Sequence, residues 1–195
     1  MRISFDFDGV LCLTPFGRMA VRPAGTLVDD LPDAYEGLYD AAAPRSRVRL
    51  AVEYARFGWR RMARDAAQTL HDLGADGHDL LIVTGRSAQG EPLLRRWLRR
   101  HKLDDKVTAI RMAPIGLRPP QHKLAITRML AVDIHIDDDP RTVFHMARNG
   151  VPHVFLLDHA HALGDTPLPE NVYTVRTLRD FVDGVRALGG GEPPA

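Results

Sequence analysis

The chain has 195 residues, 45% hydrophobic and 26% charged, the balance of an ordinary globular protein and not of a disordered or fibrous one. Its single cysteine, Cys12, excludes a disulfide framework and any zinc module built on two or more cysteine ligands. A net charge of +1, with 23 arginines and three lysines against 25 acidic residues, gives no global field for nucleic acid. No apolar run approaches the ~18 residues of a membrane span, so a soluble, cytoplasmic protein without a signal peptide is expected.

Ile3, Phe5 and Phe7 alternate around Asp6 and Asp8, and Gly9 follows as a turn residue, which predicts a first strand. From Thr14 to Arg61 no strand–helix unit is legible. Pro15, Pro23, Pro32 and Pro44 punctuate the segment, and Val48, Val52, Ala55 and Trp59 then make one amphipathic face. Such a stretch is too long for a βα loop of ~2–6 residues, and it reads as an insertion over the C-terminal edge of a sheet. The expected division is therefore a core of 1–13 and 62–195 with a helical cap of 14–61.

Alternation resumes with a helix on Ala63, Ala66, Ala67, Leu70 and Leu73, closed by Gly74. A second strand, Leu80–Val83, ends at Thr84-Gly85-Arg86. Leu93, Leu94, Trp97 and Leu98 stripe the next helix, with Arg95, Arg96, Arg99 and Arg100 on its solvated face. A third strand is expected over Val107–Met112, followed by a helix on Leu124, Ala125 and Met129. A fourth strand, Val132–Ile136, ends in Asp137-Asp138-Asp139, with Asp139 and Pro140 as N-cap and first residue of a helix on Val143, Phe144 and Ala147. A fifth strand, Val154–Leu157, precedes a last helix on Leu178, Phe181, Val182, Val185 and Leu188, with Thr177 as N-cap and Gly189 as its stop. Short aliphatic strands alternating with helices predict an α/β fold with a parallel sheet covered on both faces.

Asp6-Phe7-Asp8-Gly9, Thr84-Gly85-Arg86 and Asp137-Asp138-Asp139 all fall at or just past strand ends, while Lys123 lies near the start of the helix before the fourth strand. Two unit charges ~4 Å apart repel by about 4 kcal/mol at an effective dielectric of 20, so converging carboxylates ask for a cation. Magnesium suits them, being a hard ion held by one or two carboxylates, waters and a substrate phosphate.

These residues, in this order, resemble the motifs of the haloacid-dehalogenase-like (HAD) hydrolase superfamily, over Arg2 to about Leu157. The resemblance implies a Rossmann-type three-layer sandwich with a small helical cap. It implies a nucleophilic carboxylate at Asp6 and a general acid/base at Asp8. It also implies phosphate binding by Thr84, Gly85 and Lys123, and magnesium held by Asp6, Asp8, Asp137 and Asp138. An acid at Asp8 favours phosphate transfer over dehalogenation. The expected reaction is magnesium-dependent hydrolysis of a small phosphorylated metabolite, such as a nucleotide or sugar phosphate. A nucleic-acid 3′-end phosphatase and an inactive binding module with the same fold are the alternatives, and the sequence leaves oligomeric state open.

Three other groups of residues stand apart from this pattern. Cys12 reads as a small buried hydrophobe. His159 and His161, with Asp158 and Asp165 nearby, make no recognisable ligand spacing and read as loop. Arg45, Arg47, Arg49, Arg56, Arg60, Arg61 and Arg64 read as a solvated surface, or as contacts to an anionic substrate under the cap.

Overall fold

The computed structural model describes residues 1–13, 51, 60–114, 119–158, 163 and 167–191. Six strands are β1 (Arg2–Phe5), β2 (Asp79–Ser87), β3 (Ala109–Ala113), β4 (Ile134–Asp137), β5 (His153–Leu157) and β6 (Val172–Val175). They form one all-parallel sheet in the order β3-β2-β1-β4-β5-β6. Among the described residues five α-helices accompany them: α1 (Ala66–Ala75), α2 (Glu91–Arg100), α3 (Pro119–Met129), α4 (Pro140–Arg148) and α5 (Leu178–Gly190).

Side-chain alternation along the strands sorts the core into two layers. Ile3, Phe5, Leu80, Ile82, Ile134, Ile136, Phe155 and Leu157 face one way, into a cluster with Leu70 and Leu73 of α1, Leu94 and Trp97 of α2, and Phe181 of α5. The Phe181 ring meets Phe5 and Phe155 edge-on, at centroid distances of 5.6 and 4.9 Å. Val154, Leu156 and Val172 face the other way, against Leu124 of α3 and Val143 and Phe144 of α4. Helices thus cover both faces, and the fold is the expected three-layer α/β sandwich. Among the described residues no helix is long and apolar enough to cross a membrane.

Strand order reverses at β1, whose neighbours are β2 and β4. The crevice beyond the C-terminal ends of such neighbouring strands is where open α/β sheets bind ligands. Parity then decides which residues enter it. Ser4, His135 and Asp137 lie on the face opposite Ile3 and Ile134, and all three are buried. Asp6 continues the β1 pairing, its N–H donating to Ile136 O at 2.9 Å.

The structure departs from the sequence expectations at several elements: β1 ends at Phe5, before Phe7, α1 begins at Ala66 and leaves Ala63 outside, and β4 begins at Ile134 and not at Val132. β6 was not expected: it is four residues long, with only Val172 and Val175 buried, so it lacks the aliphatic run that marks the other strands. β2 runs on through Thr84 to Ser87, with a register shift against β3 between those residues. β3 begins at Ala109 and not at Val107. α5 does not stop at Gly189 but continues to Gly190, and Gly191 ends it with φ 84°, a left-handed conformation that suits glycine. Its start matches expectation, and Thr177 and Asp180 complete a reciprocal capping box.

Apart from Ala51, Arg60 and Arg61, the expected cap of 14–61 lies outside the described residues. The chain on either side of it is described, and the two sides pair. Leu13 N–H donates to Arg61 O at 2.9 Å, Ala63 N–H donates to Leu11 O at 3.0 Å, and Cys12 forms an antiparallel bridge with Met62. The chain leaving β1 and the chain returning to α1 therefore run side by side.

Candidate active site

Asp6, Asp137 and Asp138 meet at the end of β1 and β4, each offering a carboxylate oxygen within 4.8 Å of the others. Lys123, buried on the first turns of α3, reaches between them. Its Nζ lies 3.0 Å from Asp6 Oδ1 and donates to Asp137 Oδ2 at 2.5 Å. The second Asp137 oxygen accepts the Asp139 N–H at 3.0 Å. One ammonium against three carboxylates leaves two negative charges, and the donors are all hard oxygens. The described residues therefore fit a divalent hard cation such as magnesium.

The electrostatics of the cluster follow from burial and pairing. Burial pushes the Asp6 carboxyl up to about 6, with Asp137 adding to the rise and Lys123 opposing it. Burial would also raise Asp137, but the Lys123 charge and the His135 hydrogen bond hold it well below the usual carboxylate range. Asp138 is raised by burial and by the charges of Asp137 and Asp6. Burial works against the Lys123 ammonium, and the two carboxylates beside it more than restore it.

Two glycines permit this approach of backbone to side chain. Gly9 has φ +82°, and a Cβ there would lie 2.1 Å from Asp138 Oδ2. At Gly85 a Cβ would lie 2.6 Å from Pro119 Cβ, so the β2 end can pack against the start of α3 only without a side chain. Thr84 beside it is buried, and its Oγ1 accepts the Arg86 N–H at 3.4 Å.

Asp8 stands apart from the cation cluster and is gripped by two guanidinium groups. Arg86 donates from Nε to Oδ2 at 2.5 Å and from Nη2 to Oδ1 at 3.0 Å, a two-pronged contact. Arg60 Nη1 pairs with Asp8 Oδ1 from the other side. Burial and the neighbouring Arg86 push Arg60 down to about 10. Cys12 is buried beneath, as expected, with Sγ 3.3 Å from Arg60 Nη1. Burial pushes its thiol well above the ordinary range.

The structure brings together Asp6, Lys123, Asp137 and Asp138, seats Gly85 against the start of the helix that carries Lys123, and leaves Thr84 buried next to Gly85, with Asp8 held by arginines. The arginines divide. Arg61 and Arg64 are exposed, whereas Arg60 is buried against Asp8, which neither a solvated surface nor a substrate contact anticipates. Arg45, Arg47, Arg49 and Arg56 lie outside the described residues, as do His159 and His161. His135 and the pairing role of Arg86 were missed. His135 links Ser4 Oγ, 2.7 Å from Nδ1, to Asp137 Oδ2, 3.3 Å from Nε2. Both residues had a period-two signal, since His135 stands two before Asp137 and Arg86 two after Thr84 in extended chain. Arg60 had none that set it apart among its arginine neighbours.

No family model matches the sequence, and no curated protein does. Solved structures share the fold. A D,D-heptose 1,7-bisphosphate phosphatase from B. bronchiseptica, complexed with magnesium and phosphate, superposes with a TM-score of 0.60 at 16% identity, over 96% of this chain and 99% of that one. A haloacid-dehalogenase-like hydrolase from Streptococcus pneumoniae gives 0.58 at 12% identity, over 93% and 96%. A chain of the Pnkp1/Rnl/Hen1 RNA repair complex gives 0.55 at 14% identity, over 80% of this chain but only 41% of that one. The chain has the HAD-like fold.

Proposed function

We propose that the protein is a magnesium-dependent phosphomonoester hydrolase working through an aspartyl-phosphate on Asp6. The observation that carries this reading is the convergence of Asp6, Asp137 and Asp138 with Lys123 Nζ between them at the strand-order reversal. One carboxylate held by a cation, beside other carboxylates that want a second one, is what attack on an anionic phosphorus requires.

Asp6 attacks phosphorus in line, its Oδ–P bond forming as the ester P–O bond breaks. Asp8 gives its proton to the departing alkoxide oxygen, then takes one from the water that cleaves the acyl phosphate. Lys123 and the Thr84 hydroxyl hold the equatorial phosphoryl oxygens, where transition-state charge is spread. Gly85 lets α3 come close enough for Lys123 to reach them. The carboxylates of Asp6, Asp137 and Asp138 and the Asp8 carbonyl would hold magnesium, which supplies charge neutralisation between nucleophile and phosphate when bound.

The substrate class this supports is a small phosphorylated metabolite, a nucleotide or sugar phosphate. The test is a panel of phosphomonoesters that includes a 3′-phosphorylated oligonucleotide, with phosphate release measured in magnesium. Release is expected with magnesium, none with excess chelator, and none from Asp6→Asn in either. Calcium should not replace magnesium, because it takes six to eight ligands at longer distances. Full activity in chelator, or turnover by Asp6→Asn, overturns the reading.

A further inference from the structure

We infer that Arg60 and Arg86 are positioning residues of this reaction, fixing the orientation of Asp8 for its two proton transfers. The inference deepens the phosphatase reading and rests on it. Both carboxylate oxygens of Asp8 are held: Arg86 takes one each with Nε and Nη2, and Arg60 Nη1 meets Oδ1. The arginine side chains are only 7% and 10% exposed, while Asp8 keeps 29% of its surface open. The carboxylate is thus fastened from the protein side and left accessible on another.

The arginines are themselves fixed. Arg86 lies over the Phe7 ring, 5.8 Å from its centroid, and Phe7 packs edge-on against Trp97 at 5.0 Å. Trp97 Nε1 donates to Arg60 O at 3.1 Å, tying the other arginine's backbone to the same indole. Arg60 also stands where the returning chain pairs with residues 11–13. Neutralising one carboxylate needs one guanidinium. Two, brought from elements 26 residues apart onto a single side chain, restrict its rotation. Asp8 must take up a proton on its accessible side before it can donate one to the leaving group, and it regains one from the attacking water, so a fixed orientation helps both steps, and a displacement of about 1 Å can cost ~10²-fold.

The test compares kcat/KM for an alkyl phosphate, whose leaving oxygen needs a proton, with that for nitrophenyl phosphate, whose leaving group departs without one. Arg60→Ala and Arg86→Ala should each lose at least about tenfold more on the alkyl ester than on the nitrophenyl ester. Arg60→Lys and Arg86→Lys, which keep charge and fill the site but drop the planar fork, should show the same skew in a smaller degree. In an Asp8→Asn background none of these changes should add to the skew, because the residue they orient has lost its function. Equal loss on both esters, a skew that persists undiminished beside Asp8→Asn, or full restoration by lysine overturns the inference. If the unmodified protein hydrolyses neither ester, the phosphatase reading falls and this inference with it. If it hydrolyses both and the variants show no skew, only the inference falls.

Discussion

Asp6 illustrates how one side chain's surroundings set its chemistry. Its carboxyl is raised to about 6 because burial penalises the ion more than Lys123 favours it. A raised carboxyl binds its proton more readily folded than unfolded, so between pH about 4 and 6 the native state holds the extra proton. Metal-free protein therefore loses the Asp6 contribution to stability as pH rises through that window. Asp138 is raised as well and acts in the same direction, whereas Asp137 is held low, and its contribution disappears only in stronger acid. Magnesium needs these carboxylates ionised, so its stabilisation should grow over the same window. Thermal melts with magnesium and with chelator are predicted to differ more at pH 7 than at pH 5. An equal magnesium shift at both pH values would contradict the cation cluster.

At the scale of elements, the site depends on how closely α3 approaches β2. Lys123 is carried by α3, and the start of that helix is seated on Gly85 with no room for a Cβ. Pro119 is rigid and cannot swing aside. Gly85→Ala must therefore push α3 outward and draw Lys123 away from Asp6 and Asp137. We expect kcat/KM to fall on the order of 10²-fold, alike for alkyl and nitrophenyl esters, since in the proposed reaction Lys123 serves phosphate contact and not leaving-group protonation. A skew toward the alkyl ester would show that Gly85 acts through Asp8 instead. Parity explains why the sheet delivers these groups together. Asp6 and Asp137 leave β1 and β4 on the α3 face because Ile3, Phe5, Ile134 and Ile136 occupy the other.

Across the whole molecule, the sequence disclosed what regular elements carry and hid what meets between distant segments. Strong aliphatic runs made β1, β2, β4 and β5 legible, and Asp139-Pro140 marked the start of α4, where the Asp139 side chain accepts the Arg141 N–H. β6 escaped because an edge strand with two buried valines carries little pattern. The acidic cluster was readable because its members sit at strand ends, where topology gathers them. The Arg60–Asp8–Arg86 contact was not, because it joins chain segments on either side of α1, and no local spacing encodes such a meeting. The same limit applies to substrate identity, which depends on surfaces outside the strand-end motifs.

In the proposed reaction Asp6 carries the phosphoryl group and Asp8 moves the protons. Asp8→Asn keeps the nucleophile and removes the donor and later base, the latter worth roughly 10²–10⁴-fold. Mixed rapidly with nitrophenyl phosphate and magnesium, Asp8→Asn should release a burst of nitrophenol and then stall. Intact-mass analysis of the quenched protein should show one phosphoryl group, mapped to Asp6 and absent from Asp6→Asn. No burst, no trapped phosphoenzyme, or a phosphoryl group mapped to another residue would contradict these roles of Asp6 and Asp8.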